Sequence, residues 1–126
     1  MPFVVRAFPV VRPLEELRAF LSTLLNERRA ETDKFYGQYG VSHESAYLQE
    51  GPHGPQLIVV TILADEQEAA PLYAAASEEF HAWFKGEVFR LTGVDPNASP
   101  LGPATTEVYC WTAKGDGEKA VAVRAR

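Results

Sequence analysis

His43 and Glu44 are adjacent and carry the residue types of an acid–base pair. In a regular strand successive side chains point to opposite faces, so the two cannot converge on one substrate. His43, in line with Ser45 and Tyr47, is kept as a candidate base or hydrogen-bond donor, against the plainer role of a surface or hydrogen-bonded structural histidine. Arg6 and Glu107 lie on stretches that read as neighbouring strands, both on the side facing away from the helices. Such a pair is either a polar anchor in an apolar cleft or a partly buried cross-strand ion pair, and the ion pair is favoured. Tyr109 and Trp111 share the face of Glu107. The candidate ligand-binding set is therefore Arg6, His43, Tyr47, Glu107, Tyr109 and Trp111.

Other reactive side chains point to less. His81 is a candidate for a cleft mouth, with Trp83 and Lys85 close by on the same helical stretch. His43, His53 and His81 show no metal-ligand spacing, and no cysteine pair accompanies them. No metal site or other cofactor is expected. Gly51-Pro-His-Gly54 lacks the strand-to-helix setting of a phosphate loop. Cys110 falls mid-strand, on the face opposite Tyr109, with no base or helix terminus to activate it, and reads as core.

The elements that would position these residues fit one domain of 126 residues, with 46% apolar and 23% charged side chains. A formal charge of -5 disfavours binding to a phosphate backbone, which needs clustered Lys and Arg. The single cysteine excludes an internal disulfide and is compatible with a reducing compartment. No apolar run approaches the roughly 20 residues that span a bilayer, and no secretory segment is evident. A cytoplasmic protein with no nucleic-acid or membrane partner is expected.

Taken in order, residues 3–11 read as a strand that frays at Pro9. Pro13, Glu15 and Glu16 then open a helix whose stripe is Leu14, Leu17, Leu21, Leu24 and Leu25. That helix ends between Lys34 and Tyr39, with Gly40 just past it. Residues 41–49 and 57–63 form a hairpin around Gly51-Pro-His-Gly-Pro55, and the second arm is apolar on both faces. Asp65 and Glu68 have the spacing of a capping box. Pro71 breaks or kinks the helix that follows, and Ser77-Glu-Glu79 starts it afresh. Phe80, Phe84, Val88 and Leu91 form the new stripe, closed by Gly93. Residues 105–112 read as a fourth strand, completing a domain over 1–112. Residues 113–126 are a tail or a short edge strand of the same domain.

This order is βαββαβ, an α+β ferredoxin-like arrangement with a four-stranded antiparallel sheet and helices on one face. The first and third strands are expected as parallel neighbours at its centre, the fourth beside the first and the second beside the third. The other face, expected to carry Val4, Phe8, Tyr109 and Trp111, then lacks cover, and a two-fold homodimer would supply it.

Gly40-Val41, Glu44 through Gln49, Asp65, Phe80-His-Ala-Trp-Phe-Lys85, Thr92-Gly-Val-Asp95 and Gly102-Pro103 resemble an uncharacterised bacterial family of the dimeric α+β barrel superfamily. The resemblance implies the fold and the dimer. Relatives in that superfamily include cofactor-free monooxygenases, haem-degrading enzymes and small-molecule binders, but the matching residues are structural punctuation and carry no catalytic signature across.

Three functional expectations follow. The leading one is a homodimer that binds a small apolar or aromatic molecule in a sheet-lined cleft, with cofactor-independent chemistry open to it. The rival is a non-catalytic structural or interaction protein whose aromatics build the dimer interface. Haem binding would require a histidine facing a wide opening.

Overall fold

Residues 3–113 are described by a computed structural model of the chain. Three strands, β1 (Phe3–Pro9), β2 (Val41–Gln49) and β3 (Gln56–Leu63), form one sheet in the order β1-β3-β2. Four helices complete it: α1 (Leu14–Leu25), α2 (Arg29–Gln38), α3 (Glu66–Ala75) and α4 (Glu79–Thr92).

β3 pairs antiparallel with both neighbours, which corrects the expected parallel pairing of the first and third strands. The reason lies in the connections. The α1–α2 crossover makes β1 and β2 run the same way, and β3 returns from β2 by a hairpin into the gap between them, so it opposes both.

The long helix expected after Pro13 is two helices. Asn26 ends the first by donating its side-chain amide to the Ser22 carbonyl at 2.9 Å, a local bond that competes with continuation of the helix. α2 then stops at Gly40, whose φ of +70° is a conformation that favours glycine. The expected cap at Asp65 is present: its carboxylate accepts from the backbone N–H of Gln67 at 3.0 Å and of Glu68 at 3.1 Å. α3, with Pro71 inside it, and α4 are separate helices, and Gly93 ends α4 in the left-handed region.

The helices pack on one face of the sheet. Leu57 of β3 joins Leu17, Phe20 and Leu24 of α1, Phe35 of α2, Tyr73 of α3 and Phe80 and Leu91 of α4 in the main core, with Phe8, Leu48 and Val59 packed against it. A smaller cluster holds Val4, Leu63 and Ala69, with Val41 and Leu101 against it. Leu25, expected in the stripe of α1, is instead 61% exposed. Val4 and Phe8 face the helices, so the expectation that they lie on the far side is corrected. The far face carries Val5, Ala7, Ile58, Val60 and Ile62, none of which belongs to either core cluster.

The expected fourth strand is absent among the described residues. After α4 the chain returns to the outer edge of β1, as the ferredoxin-like order requires, but makes only an isolated antiparallel bridge, Arg6 to Ala104. The Val5 carbonyl is taken by side chains, the Thr105 hydroxyl at 2.5 Å and Arg6 Nη1 at 3.1 Å. Pro103, directly before the bridge, has no N–H to donate. Beyond it residues 105–113 are irregular, with Val108, Tyr109 and Trp111 at 90%, 81% and 74% exposure. Cys110 is exposed as well, not core. The tail expected over 113–126 lies, after residue 113, outside the described residues. No described helix is long and apolar enough to cross a membrane.

Candidate functional site

A β-bulge decides which side chains meet. Between Val41 and His43 the register of β2 against β3 shifts by one residue, so that Val41 pairs with Leu63 but Glu44, not His43, pairs with Thr61. A bulge of this kind reverses the parity of everything after it. Val41, Glu44, Ala46 and Leu48 therefore look toward the helices, while His43, Ser45 and Tyr47 look away.

Between this face and the helices lies a cavity of about 160 Å³. The sheet contributes Phe8, Ala46, Val59, Thr61 and Glu44; α1 contributes Leu17, Phe20 and Leu21. Tyr36 of α2, Tyr39 just past its end, Tyr73 of α3 and Phe84 and Val88 of α4 form the other walls. Pro100, Leu101 and Gly102 form one end. Gly102 has φ +96°, and a Cβ there would lie 2.2 Å from the Phe8 ring, so only glycine lets this loop lie on that ring.

The polar centre is Glu44. Its Oε1 accepts from the Thr61 hydroxyl at 2.7 Å and its Oε2 from the Tyr36 hydroxyl at 2.8 Å. The carboxyl is open to water through the cavity, while protein surrounds it on its other sides. Burial raises its pKa above the ordinary carboxylate range, and the hydrogen bonds from Thr61 and Tyr36 only partly oppose that. The same setting holds the phenols protonated: burial first, and the nearby Glu44 charge second, push Tyr36 well up, and Tyr73 is raised mainly by burial, with Tyr39 and Glu44 adding to it.

No family model, curated protein or solved structure matches this chain.

None of the six candidate ligand-binding residues lines the cavity. Arg6 does not face away from the helices: its Nη2 donates to Glu66 at 2.6 Å, fixing the first turn of α3 to the outer strand of the sheet. His43 is exposed and Tyr47 is 58% exposed, both on the far face of β2. Glu107, half-buried, and the exposed Tyr109 and Trp111 lie on the irregular segment after the bridge. The structure brings His43 and Tyr47 onto one face but separates them from Arg6 by the whole width of β3.

His81 is buried rather than placed at a mouth. Its Nε2 meets the Tyr39 hydroxyl at 2.8 Å and the Gln38 amide at 2.9 Å, tying α4 to the end of α2. Burial lowers its pKa, with the Glu78 charge opposing. Among the described residues no histidine lines the cavity, so the requirement set for haem is not met there. Lys85 Nζ caps the end of α3 by donating to the carbonyls of Ala74 at 3.1 Å and Ala76 at 2.7 Å. Among the described residues no group of three or more His, Cys, Asp or Glu side chains gathers as metal ligands would.

Proposed function

We propose that the chain is a homodimeric small-molecule-binding protein whose ligand occupies the cavity between sheet and helices. The observation that carries this reading is a carboxyl held by Tyr36 and Thr61 in a space otherwise walled by apolar and aromatic side chains. Binding sites commonly have this composition, in which apolar walls supply affinity and a few placed polar groups supply orientation. An apolar cavity of roughly 150 Å³ accommodates benzene, so the ligand, or the part of it enclosed, is about the size of one ring. Glu44 is also placed to take up or release a proton, so cofactor-independent acid–base chemistry belongs to the same proposal.

The homodimer rests on the far face. Among the described residues no helix covers Val5, Ile58, Val60 and Ile62, Phe3 and Tyr47 stand exposed beside them, and Val108, Tyr109 and Trp111 are exposed a few residues after Ala104, which bridges to the β1 edge. Each large apolar side chain kept in water forgoes about 1.5–3 kcal/mol. A second copy covering this face agrees with the resemblance to the dimeric α+β barrel superfamily.

Thermal-shift and native mass spectrometry across a panel of small apolar and aromatic metabolites test the ligand. A hit that raises Tm in the wild type and is lost in Ala46→Phe, which fills the cavity from its sheet wall, is the expected result. Hits that survive that substitution would place the ligand elsewhere. An absence of hits favours the rival, an interaction protein, for which the exposed Val108, Tyr109 and Trp111 already speak.

A further inference from the structure

Among the described residues the cavity is lined by one acidic side chain, Glu44, and by no Lys, Arg or His. Glu44 is held there by two neutral hydroxyl donors, Tyr36 and Thr61, so its hydrogen bonds are partly satisfied, while His43, the next residue, faces the other side of the sheet. Around it the rings of α2 and α3 gather. Phe35 lies 5.2 Å from Tyr36, 5.4 Å from Tyr39 and 5.9 Å from Tyr73, and Tyr39 lies 5.9 Å from Tyr73. The faces of aromatic rings are electrically negative and attract cations. The carboxylate therefore gives this wall of the cavity its negative charge, and the rings beside it supply surfaces that accept a cation.

We propose that this cavity selects a small apolar amine, its ammonium group on Glu44 and the adjoining tyrosines and its hydrocarbon part among the side chains of α1 and β3. The proposal rests on the cavity being the ligand site and deepens that reading by naming the charge of the ligand. A ligand carboxylate would set two like charges together in one small cavity. A neutral ligand would bring no counter-charge to Glu44. An ammonium supplies a counter-charge inside the cavity and donates to carboxylate oxygens with lone pairs to spare.

Benzylamine, benzyl alcohol and benzoate are near-isosteric probes that differ in charge. Their affinities, measured by calorimetry at pH 7.5 for the wild type, Glu44→Asp and Glu44→Gln, test the assignment, with Tm and far-UV circular dichroism recorded for each variant. The wild type is expected to bind benzylamine at least about tenfold more tightly than the alcohol, roughly 1.4 kcal/mol, and benzoate more weakly still. Glu44→Asp should keep the preference for the amine. Glu44→Gln should reduce the amine-to-alcohol ratio to about one. Benzoate binding as well as benzylamine, or an amine preference that persists in a folded Glu44→Gln protein, overturns the proposal while leaving the cavity as the binding site. Failure of all three probes to bind the wild type overturns both.

Discussion

Glu44 is the polar centre of the cavity, and its protonation affects stability. Its folded-state pKa is raised by burial above the unfolded value, so the folded protein holds more protons than the unfolded one between the two. Stability contributed by the protonated carboxyl is present below the unfolded pKa and is lost as pH rises through the folded pKa. Glu44→Gln removes this dependence. Relative to the wild type, Tm of Glu44→Gln should therefore be higher at pH 8 than at pH 4, as differential scanning fluorimetry across that range would show. A Tm difference independent of pH would mean that the carboxyl is not desolvated. The sequence shows that His43 and Glu44 must part, because a strand sends neighbours to opposite faces. It does not show which of them turns inward. Counting by twos from the apolar Val41 puts His43 inside, and the bulge after Val41 exchanges it for Glu44.

At the scale of elements, one arginine organises the join between the helices. Arg28, in the turn from α1 to α2, reaches Glu31 at 2.7 Å and Glu79 at 2.5 Å, and its guanidinium lies 4.5 Å from the centre of the Trp83 ring and 5.0 Å from that of Phe80. It thereby holds the start of α4 against the break between α1 and α2. Arg90 and Glu16 pair further along the α1–α4 contact. Lysine lacks the planar fork and the stacking face. Arg28→Lys is therefore expected to lower Tm and to weaken the near-UV circular dichroism of Trp83, and an unchanged spectrum would show that the ion pairs alone hold the join. The helix stripes, Gly40, Gly93 and the Asp65 cap were legible because each is a local pattern with a local cause. The break at Asn26 was not, since it depends on the bonds of one side chain to Ser22 within an otherwise helical run. The fourth strand failed for the opposite reason: residues 105–112 alternate as a strand does, yet strand formation needs a free backbone edge, and the Val5 carbonyl on β1 is occupied by side-chain donors.

For the whole molecule, four helices on one face leave the other face of a three-stranded sheet without cover from the described residues. Val60 sits near the middle of that face, paired with Val5 on one side and Ser45 on the other. If a second copy covers it, Val60→Lys should convert a species of twice 13.9 kDa to one of 13.9 kDa in sedimentation equilibrium at micromolar concentration, with helical circular dichroism retained. A wild type already sedimenting as the monomer would refute the homodimer and leave the cavity proposal standing, because the cavity is lined by residues of one chain.

The amino-acid sequence by itself determined the α+β class, the hairpin with its doubly apolar strand, the helix stripes and their caps. These rest on periodicity and on residues that few backbone conformations accept. Only the tertiary structure decided the parity of the strands, the antiparallel setting of β3 and the place of the cavity. With β3 apolar front and back, nothing local says which side the helices will take. A single bulged residue in β2 then carried the acid to the inside and the histidine to the outside.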